Sequence, residues 1–145
     1  MKHLINLVLL LSLLSCNTAK EATDDTKRLK DFLKEVGYES IFKHSTYYFL
    51  PINNCSSCDD DYKKFINENH DKEAVQIIIC STNARKIKLI VGKTIRQNLI
   101  IDKKHLATMK YDLLNNSIMV YQVSDKKVSN KYEVKTNELT NQLIQ

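Results

Sequence analysis

The chain has 145 residues, with 22 basic and 17 acidic side chains, a formal net charge of +5 and an apolar fraction of 43%. This length suits one domain with a real hydrophobic core, and the charges are interspersed, so the composition gives no support for a nucleic-acid partner. The two glycines, Gly37 and Gly92, stand alone, which excludes a glycine-rich phosphate-binding loop.

The N-terminus predicts an exported, lipid-anchored protein. Lys2 precedes an apolar run over residues 4–14, about half of the roughly 20 residues that a membrane-spanning helix needs, so residues 1–15 are predicted to be a cleavable signal peptide. The sequence Leu-Leu-Ser-Cys ending at Cys16 resembles the bacterial lipobox, which implies diacylglycerol attachment at Cys16. Two or three acyl chains anchor a protein stably in a membrane. The alternative is an ordinary secretory signal in which Cys16 is incidental.

The resemblance to lipoproteins also implies a location. Asn17, rather than an aspartate, follows the predicted lipidation site, and by analogy with the sorting rule of enteric bacteria this favours the outer membrane, with the domain facing the periplasm. Residues 16–25 are then the lipidated cysteine and a polar tether, and residues 26–145 are the folded domain. Cleavage removes Lys2 and lowers the net charge by one.

Hydrophobic periodicity predicts alternating helices and strands. From Thr26 onward, apolar residues spaced three and four apart predict an amphipathic helix that ends near Gly37. The elements predicted after it are a strand at Thr46–Leu50, a helix at Cys58–Asn69, a buried strand at Glu73–Cys80, a helix at Ala84–Val91, a short strand at Asn98–Asp102, a short helix or turn within Lys103–Leu114, a hairpin of Ile118–Val123 with Val128–Val134, and a closing helix at Thr136–Gln145.

The sequence Cys55-Ser56-Ser57-Cys58 lies between the first predicted strand and the helix that follows it. Two thiols at this spacing suit reversible thiol–disulfide exchange, because the helix N-terminus stabilises a thiolate and the second sulfur can reach the first. Export places the pair in a compartment where disulfides persist. The order of elements around this motif, over residues 45–145, resembles the thioredoxin superfamily, and in particular the membrane-tethered thiol–disulfide oxidoreductases and thioredoxin-like lipoproteins of bacterial envelopes.

The resemblance implies a fold, a reaction and a partner. The fold is an α/β thioredoxin-like three-layer sandwich, with a central mixed sheet and helices on both faces. Cys55 is implied to be the attacking nucleophile and Cys58 the resolving thiol. The implied partners are a membrane, through the lipid anchor, and a protein dithiol or disulfide. No cofactor, metal or nucleic acid is expected.

Three departures from the family pattern weaken the oxidoreductase hypothesis. Asn54 and the Ser-Ser dipeptide replace the residues that the family usually has before and between the cysteines. Residues 115–118 lack the proline that the family places opposite the disulfide, and Pro51 is the sole proline of the chain. Asp59, Asp60 and Asp61 follow Cys58 directly, and carboxylates near a thiol oppose formation of its thiolate.

Two alternative functions therefore stay open. One is a redox-silent binding or assembly module with a structural disulfide. The other is a copper or zinc site at the CxxC, which would need further ligands that no obvious motif supplies.

The remaining candidate residues have simpler interpretations. Cys80, at the end of an apolar run, is expected to be a small buried hydrophobic residue. His44, His70 and His105 are not expected to form a catalytic pair with a cysteine. The three aspartates are expected to form a solvated face at the positive end of their helix.

Overall fold

The structure is a computed structural model that describes residues 22–38, 41–52, 57–92 and 98–139. Cys16, Cys55 and most of the predicted tether therefore lie outside the described residues. The strands are β1 (His44–Pro51), β2 (Val75–Cys80), β3 (Leu99–Asp102), β4 (Ile118–Ser124) and β5 (Lys127–Val134). The helices are α1 (residues 22–35), α2 (Asp59–Asn69), α3 (Ala84–Val91) and α4 (Leu106–Met109), with a 3₁₀ turn at Thr136–Glu138.

The five described strands form one mixed sheet in the order β3-β2-β1-β4-β5. β1, β2 and β3 run parallel to one another, whereas β4 and β5 form an antiparallel hairpin beside β1. The chain moves from β1 to β2 to β3 in one direction across the sheet. Because crossovers between parallel strands are right-handed, both connecting helices, α2 and α3, lie on the same face.

Two hydrophobic clusters, one on each face of the sheet, hold the layers together. Side chains alternate between the faces of a strand: Phe49 of β1 packs on Phe32 of α1 with ring centroids 5.5 Å apart, and Tyr48 packs on Phe65 of α2 at 4.8 Å. α1 and α4 cover the first face, and α2 and α3 cover the second. The predicted architecture, an α/β sandwich with a central mixed sheet and helices on both faces, is confirmed.

β2 is buried along its whole length, as its continuous apolar sequence predicts for a strand covered on both faces. The aromatic segment of β1 is likewise buried, which confirms that these rings belong to the core.

The largest boundary difference lies at the first helix. The chain is already helical at residue 22, earlier than the predicted start at Thr26, because tertiary contacts hold this turn. Asp25 is buried and pairs with Lys131 of β5 at 3.0 Å, and the Thr26 hydroxyl accepts a hydrogen bond from the Val128 amide. Any tether to a lipidated Cys16 therefore ends before residue 22.

At the other terminus, the described part of the predicted closing helix is the 3₁₀ turn. Leu139 follows it and is fully buried against the face that α2 and α3 cover. Residues 140–145 lie outside the described residues. Among the described helices, none has the length and apolar character needed to cross a membrane.

Candidate functional site

Cys58, the described cysteine of the CxxC, lies at the edge of the sheet where all three parallel strands end. Pro51 of β1 pairs in register with Cys80 of β2, and Cys80 pairs with Asp102 of β3. Pro51 ends β1 at this edge, and Cys58 directly precedes α2, which begins at Asp59. Cys58 thus lies between the carboxyl end of β1 and the start of α2, as the predicted strand–CxxC–helix order requires.

Cys58 is the N-cap residue of α2, and it has helical backbone angles (φ −83°, ψ −14°). Its side chain is half-buried and packs against the hydrophobic cluster beneath α2 and α3. Cys58 is disulfide-bonded. Cys80 is a free thiol, so the partner of Cys58 is a cysteine outside the described residues. The predicted roles of Cys55 and Cys58 stay predictions, since Cys55 lies outside the described part of the chain.

The first turn of α2 differs from its predicted solvated character at one position. The Asp59 side chain is only 17% exposed, and Lys86 Nζ, on a side chain 13% exposed, lies 3.1 Å from Asp59 Oδ1. Asp60, the next residue, is exposed as expected. The prediction is therefore wrong for Asp59, because α3 packs beside α2 and covers it.

The segment before β4 corresponds to the place where the thioredoxin superfamily, which the sequence resembles, carries a proline. Phe49 of β1 pairs with Met119 of β4, so residues 115–118 run past the carboxyl end of β1. A serine, Ser117, directly precedes β4 here. On the other side, the Tyr62 hydroxyl donates a hydrogen bond to the Pro51 carbonyl at 3.2 Å, which fixes the strand end against α2.

Cys80 lies at the same edge of the sheet but faces the α1 and α4 layer. It is 1% exposed, and burial together with the adjacent Asp102 carboxylate raises the pKa of its thiol well above the usual range. The Asp102 carboxylate also accepts hydrogen bonds from the amides of Leu106 (3.0 Å) and Ala107 (2.8 Å), so it caps α4. Cys80 is buried as predicted, and it is held protonated rather than being merely apolar.

Sequence reasoning missed two residues at this edge, Lys86 and Asp102. Asp102 carried a usable signal, because an aspartate a few residues before a helix is a common capping residue. Lys86 carried none, because it is one of several lysines and arginines around α3 and its contact lies on another helix.

Of the three described histidines, two lie far from Cys58. His44 begins β1 and pairs with Ser124, so the eight-residue strand separates it from the CxxC end by about 23 Å. His70 ends α2, with its Nδ1 2.8 Å from the Asn67 carbonyl oxygen. Both line a cavity of about 530 Å³ at the opposite end of the sheet. His105 follows β3, at the N-cap of α4.

The alternative use of the CxxC is as a pair of metal ligands. Within the described ranges, no three His, Cys, Asp or Glu side chains come together in a way that could hold a metal ion.

No family model and no curated protein sequence matches the chain. Among solved structures, the chain is similar to a bacterioferritin comigratory protein of Xanthomonas campestris, which was studied for its alkyl peroxide reduction activity. The two share 14% sequence identity at a TM-score of 0.47, over 72% of this chain and 76% of that one. A likeness this distant does not tell which reaction this chain performs.

Proposed function

We propose that this chain is a lipid-anchored thiol–disulfide oxidoreductase of the bacterial cell envelope, with Cys55 and Cys58 as its redox pair. The observation that supports the proposal most is the position of Cys58. It is a disulfide-bonded cysteine at the first turn of a helix, at the carboxyl edge of a mixed sheet. A helix N-terminus stabilises a thiolate there, which is the species that attacks a disulfide.

The reaction proceeds through two exchanges. The Cys55 thiolate attacks one sulfur of a substrate disulfide, forms a mixed disulfide and releases one substrate thiolate. The Cys58 thiolate then attacks the Cys55 sulfur, closes the Cys55–Cys58 disulfide and releases the second substrate thiolate. Two electrons pass from the protein dithiol to the substrate, and a dithiol donor returns the protein to its reduced form. The same steps in reverse oxidise a substrate dithiol.

The charges near Cys58 favour a redox pair that exchanges disulfides without being a strong oxidant. Asp60 and Asp61 lie in the same helical turn as the helix amides that stabilise a thiolate. Their charges oppose part of that stabilisation, so a strongly depressed thiol pKa is not expected. Exchange is most efficient when the attacking thiol has a pKa near the ambient pH, and a mild depression suffices for that.

The second candidate function is a redox-silent binding or assembly module with a structural disulfide. It is favoured by the packing of Cys58 against the hydrophobic cluster beneath α2 and α3, which shields one sulfur of the bond. Residues 115–118 also offer no proline beside the site.

The reduction potential of the Cys55–Cys58 pair separates the two functions. It is measured by equilibrating the protein with thiol buffers and counting free thiols by mass tagging. A midpoint between about −270 and −120 mV supports exchange, whereas a midpoint below about −300 mV identifies a structural disulfide.

Two variants test the roles of the cysteines. Cys55→Ser should abolish reduction of a model disulfide, and Cys58→Ser should accumulate mixed disulfides that mass spectrometry detects. Wild-type activity in Cys55→Ser would refute the assignment.

The anchor is tested separately. Cys16→Ala should lose lipidation, and the chain should leave the membrane fraction once the signal has been processed by another route. Retention of an unprocessed, signal-bearing chain is distinguished by its mass. A processed Cys16→Ala chain that stays in the membrane fraction would contradict lipid anchoring.

A further inference from the structure

The largely buried ion pair between Asp59 and Lys86 joins the first turns of two helices beside the CxxC. Asp59 is the first residue of α2 and directly follows Cys58. Lys86 lies in the first turn of α3, where its amide donates a hydrogen bond to the Asn83 Oδ1 cap at 3.0 Å. Both helices begin at the carboxyl edge of the parallel strands, so the pair sits at the same end of the fold as the redox motif.

The pair is held by charge more than by an aligned hydrogen bond. The ammonium nitrogen of Lys86 is 3.1 Å from Asp59 Oδ1, yet this buried oxygen has no partner in hydrogen-bonding geometry within the described structure. Because the oxygen is shielded from water, the Lys86 charge is the main compensation for the carboxylate next to Cys58.

The position of Lys86 is not explained by the stability of α3 alone. The first turn of α3 contains no acidic residue, and a cation at a helix N-terminus opposes the helix dipole. Arg85 and Lys88, its basic neighbours on α3, are exposed, whereas the Lys86 side chain is turned inward onto Asp59. The inward lysine therefore acts on α2 rather than on its own helix.

The other charged groups at this junction are few. On α2 they are Asp60, which is exposed, and Asp61, which is half-buried. The Tyr62 hydroxyl lies near Asp59 and Asp61, and these carboxylates help burial to raise its pKa. The sequence contains no charged residue at positions 51–57 or at positions 115–118, which precede β4. Asp59 is thus the shielded negative charge next to the motif, and solvent screens Asp60 more strongly.

We propose that Lys86 is a positioning residue for the redox pair: by neutralising the Asp59 carboxylate, it allows a thiolate to form at the CxxC against one fewer negative charge. The inference rests on the proposed thiol chemistry at Cys55 and Cys58. The pairing also weakens the opposition that the three aspartates present to thiolate formation, because the aspartate nearest to Cys58 is then compensated, while Asp60 and Asp61 still act against it.

The test is the pH dependence of thiol alkylation in the reduced, full-length chain, purified in detergent at low salt. Iodoacetamide is the probe, and peptide mass spectrometry assigns each modified cysteine. Lys86→Met should raise the apparent pKa of the reactive CxxC thiol by about half a pH unit to one unit, because it leaves the Asp59 charge uncompensated. Lys86→Arg keeps the charge and should stay within about 0.2 unit of wild type.

Asp59→Asn gives the opposite expectation. It leaves the Lys86 cation without its partner, so the apparent pKa should fall, and the double variant with Lys86→Met should return towards wild type. Asp60→Asn is the matched control, since it removes the same charge from the next residue. Its shift should be smaller than that of Asp59→Asn, because Asp60 is exposed.

A merely structural role would not produce shifts of opposite sign. Equal apparent pKa values in all variants, or shifts of the same sign in Lys86→Met and Asp59→Asn, would overturn the proposal. Protection of Cys80 from alkylation shows in the same experiment that each variant is folded, and if Lys86→Met does not fold, Asp59→Asn and the double variant carry the test. If instead the proposed function itself is wrong, the wild-type chain will reduce no model disulfide at any pH.

Discussion

Cys58 and Cys80 lie at the same edge of the sheet, but they differ in burial, in bonding state and in the carboxylate beside them. Cys58 precedes a helix as its N-cap, is half-buried and is disulfide-bonded, and the next residue, Asp59, carries an ion-paired carboxylate. Cys80 ends a central strand, is fully buried and is free, with the Asp102 carboxylate beside its thiol. Helix amides favour a thiolate, whereas burial and a neighbouring carboxylate disfavour it. Under the proposed function, the fold thus separates a thiol that exchanges disulfides from Cys80, which is buried and kept protonated.

The largest difference between the two cysteines should be in their reactivity. In the reduced native chain at pH 8, iodoacetamide should alkylate a CxxC thiol at least about a thousandfold faster than Cys80, because Cys80 reacts only when the structure opens. Peptide mass spectrometry over time measures both rates. In denaturant the two rates should converge, and similar rates in the native chain would contradict the burial of Cys80.

The next largest effect should come from the carboxylate beside Cys80. Asp102→Ala removes the acceptor of two α4 amides and should lower the free energy of unfolding by about 2–3 kcal/mol, as measured by urea denaturation. Asp31→Ala is the control, since its i,i+4 pair with Lys27 is exposed and should contribute no more than about 0.5 kcal/mol. An equal loss in the free energy of unfolding in the two variants would show that Asp102 does not cap α4.

The Cys80 thiol should also make stability depend on pH. Its pKa is raised in the folded state, so above pH 9.0, the usual value for the thiol, the unfolded chain holds fewer protons than the folded one. Stability is then fully present below about pH 9 and falls by up to about 1.4 kcal/mol per pH unit above it.

The oxidised protein is the right sample for this measurement, because its CxxC thiols do not titrate. In Cys80→Ala the decline should begin only near pH 10, where the unfolded tyrosines ionise while burial raises the pKa of Tyr48 to about 12. Identical pH profiles in wild type and Cys80→Ala would show that the thiol does not contribute.

The smallest effect should come from Cys80 itself at neutral pH. Cys80→Ala removes one buried sulfur and should cost about 1 kcal/mol in the free energy of unfolding. Thiol–disulfide exchange with a model substrate should stay unchanged, because Cys80 faces the opposite layer of the fold. A drop in exchange comparable to that of Cys55→Ser would instead make Cys80 part of the redox site.

Much of the fold was predictable because it is encoded locally. The continuous apolar sequence of β2 predicts a strand buried on both faces, and α3 has the predicted bounds, Ala84–Val91. The hairpin turn falls at Asp125 and Lys126, both of which have positive φ angles. The start of α1 was mispredicted because Asp25 and Thr26 are held by contacts with β5, which are remote in sequence.

By itself, the sequence determined the order of elements, the two-sided burial of the central strands and the placement of a CxxC at a helix start. Periodicity and capping act over a few residues, so they can be deduced from neighbours in the chain. Only the tertiary structure decided which carboxylates affect which thiols. Asp59 meets Lys86 because α2 and α3 pack side by side, and Asp102 meets Cys80 because β2 and β3 end in register. Such pairings depend on packing between elements, and at Cys80 burial and the Asp102 carboxylate together raise the pKa of the thiol.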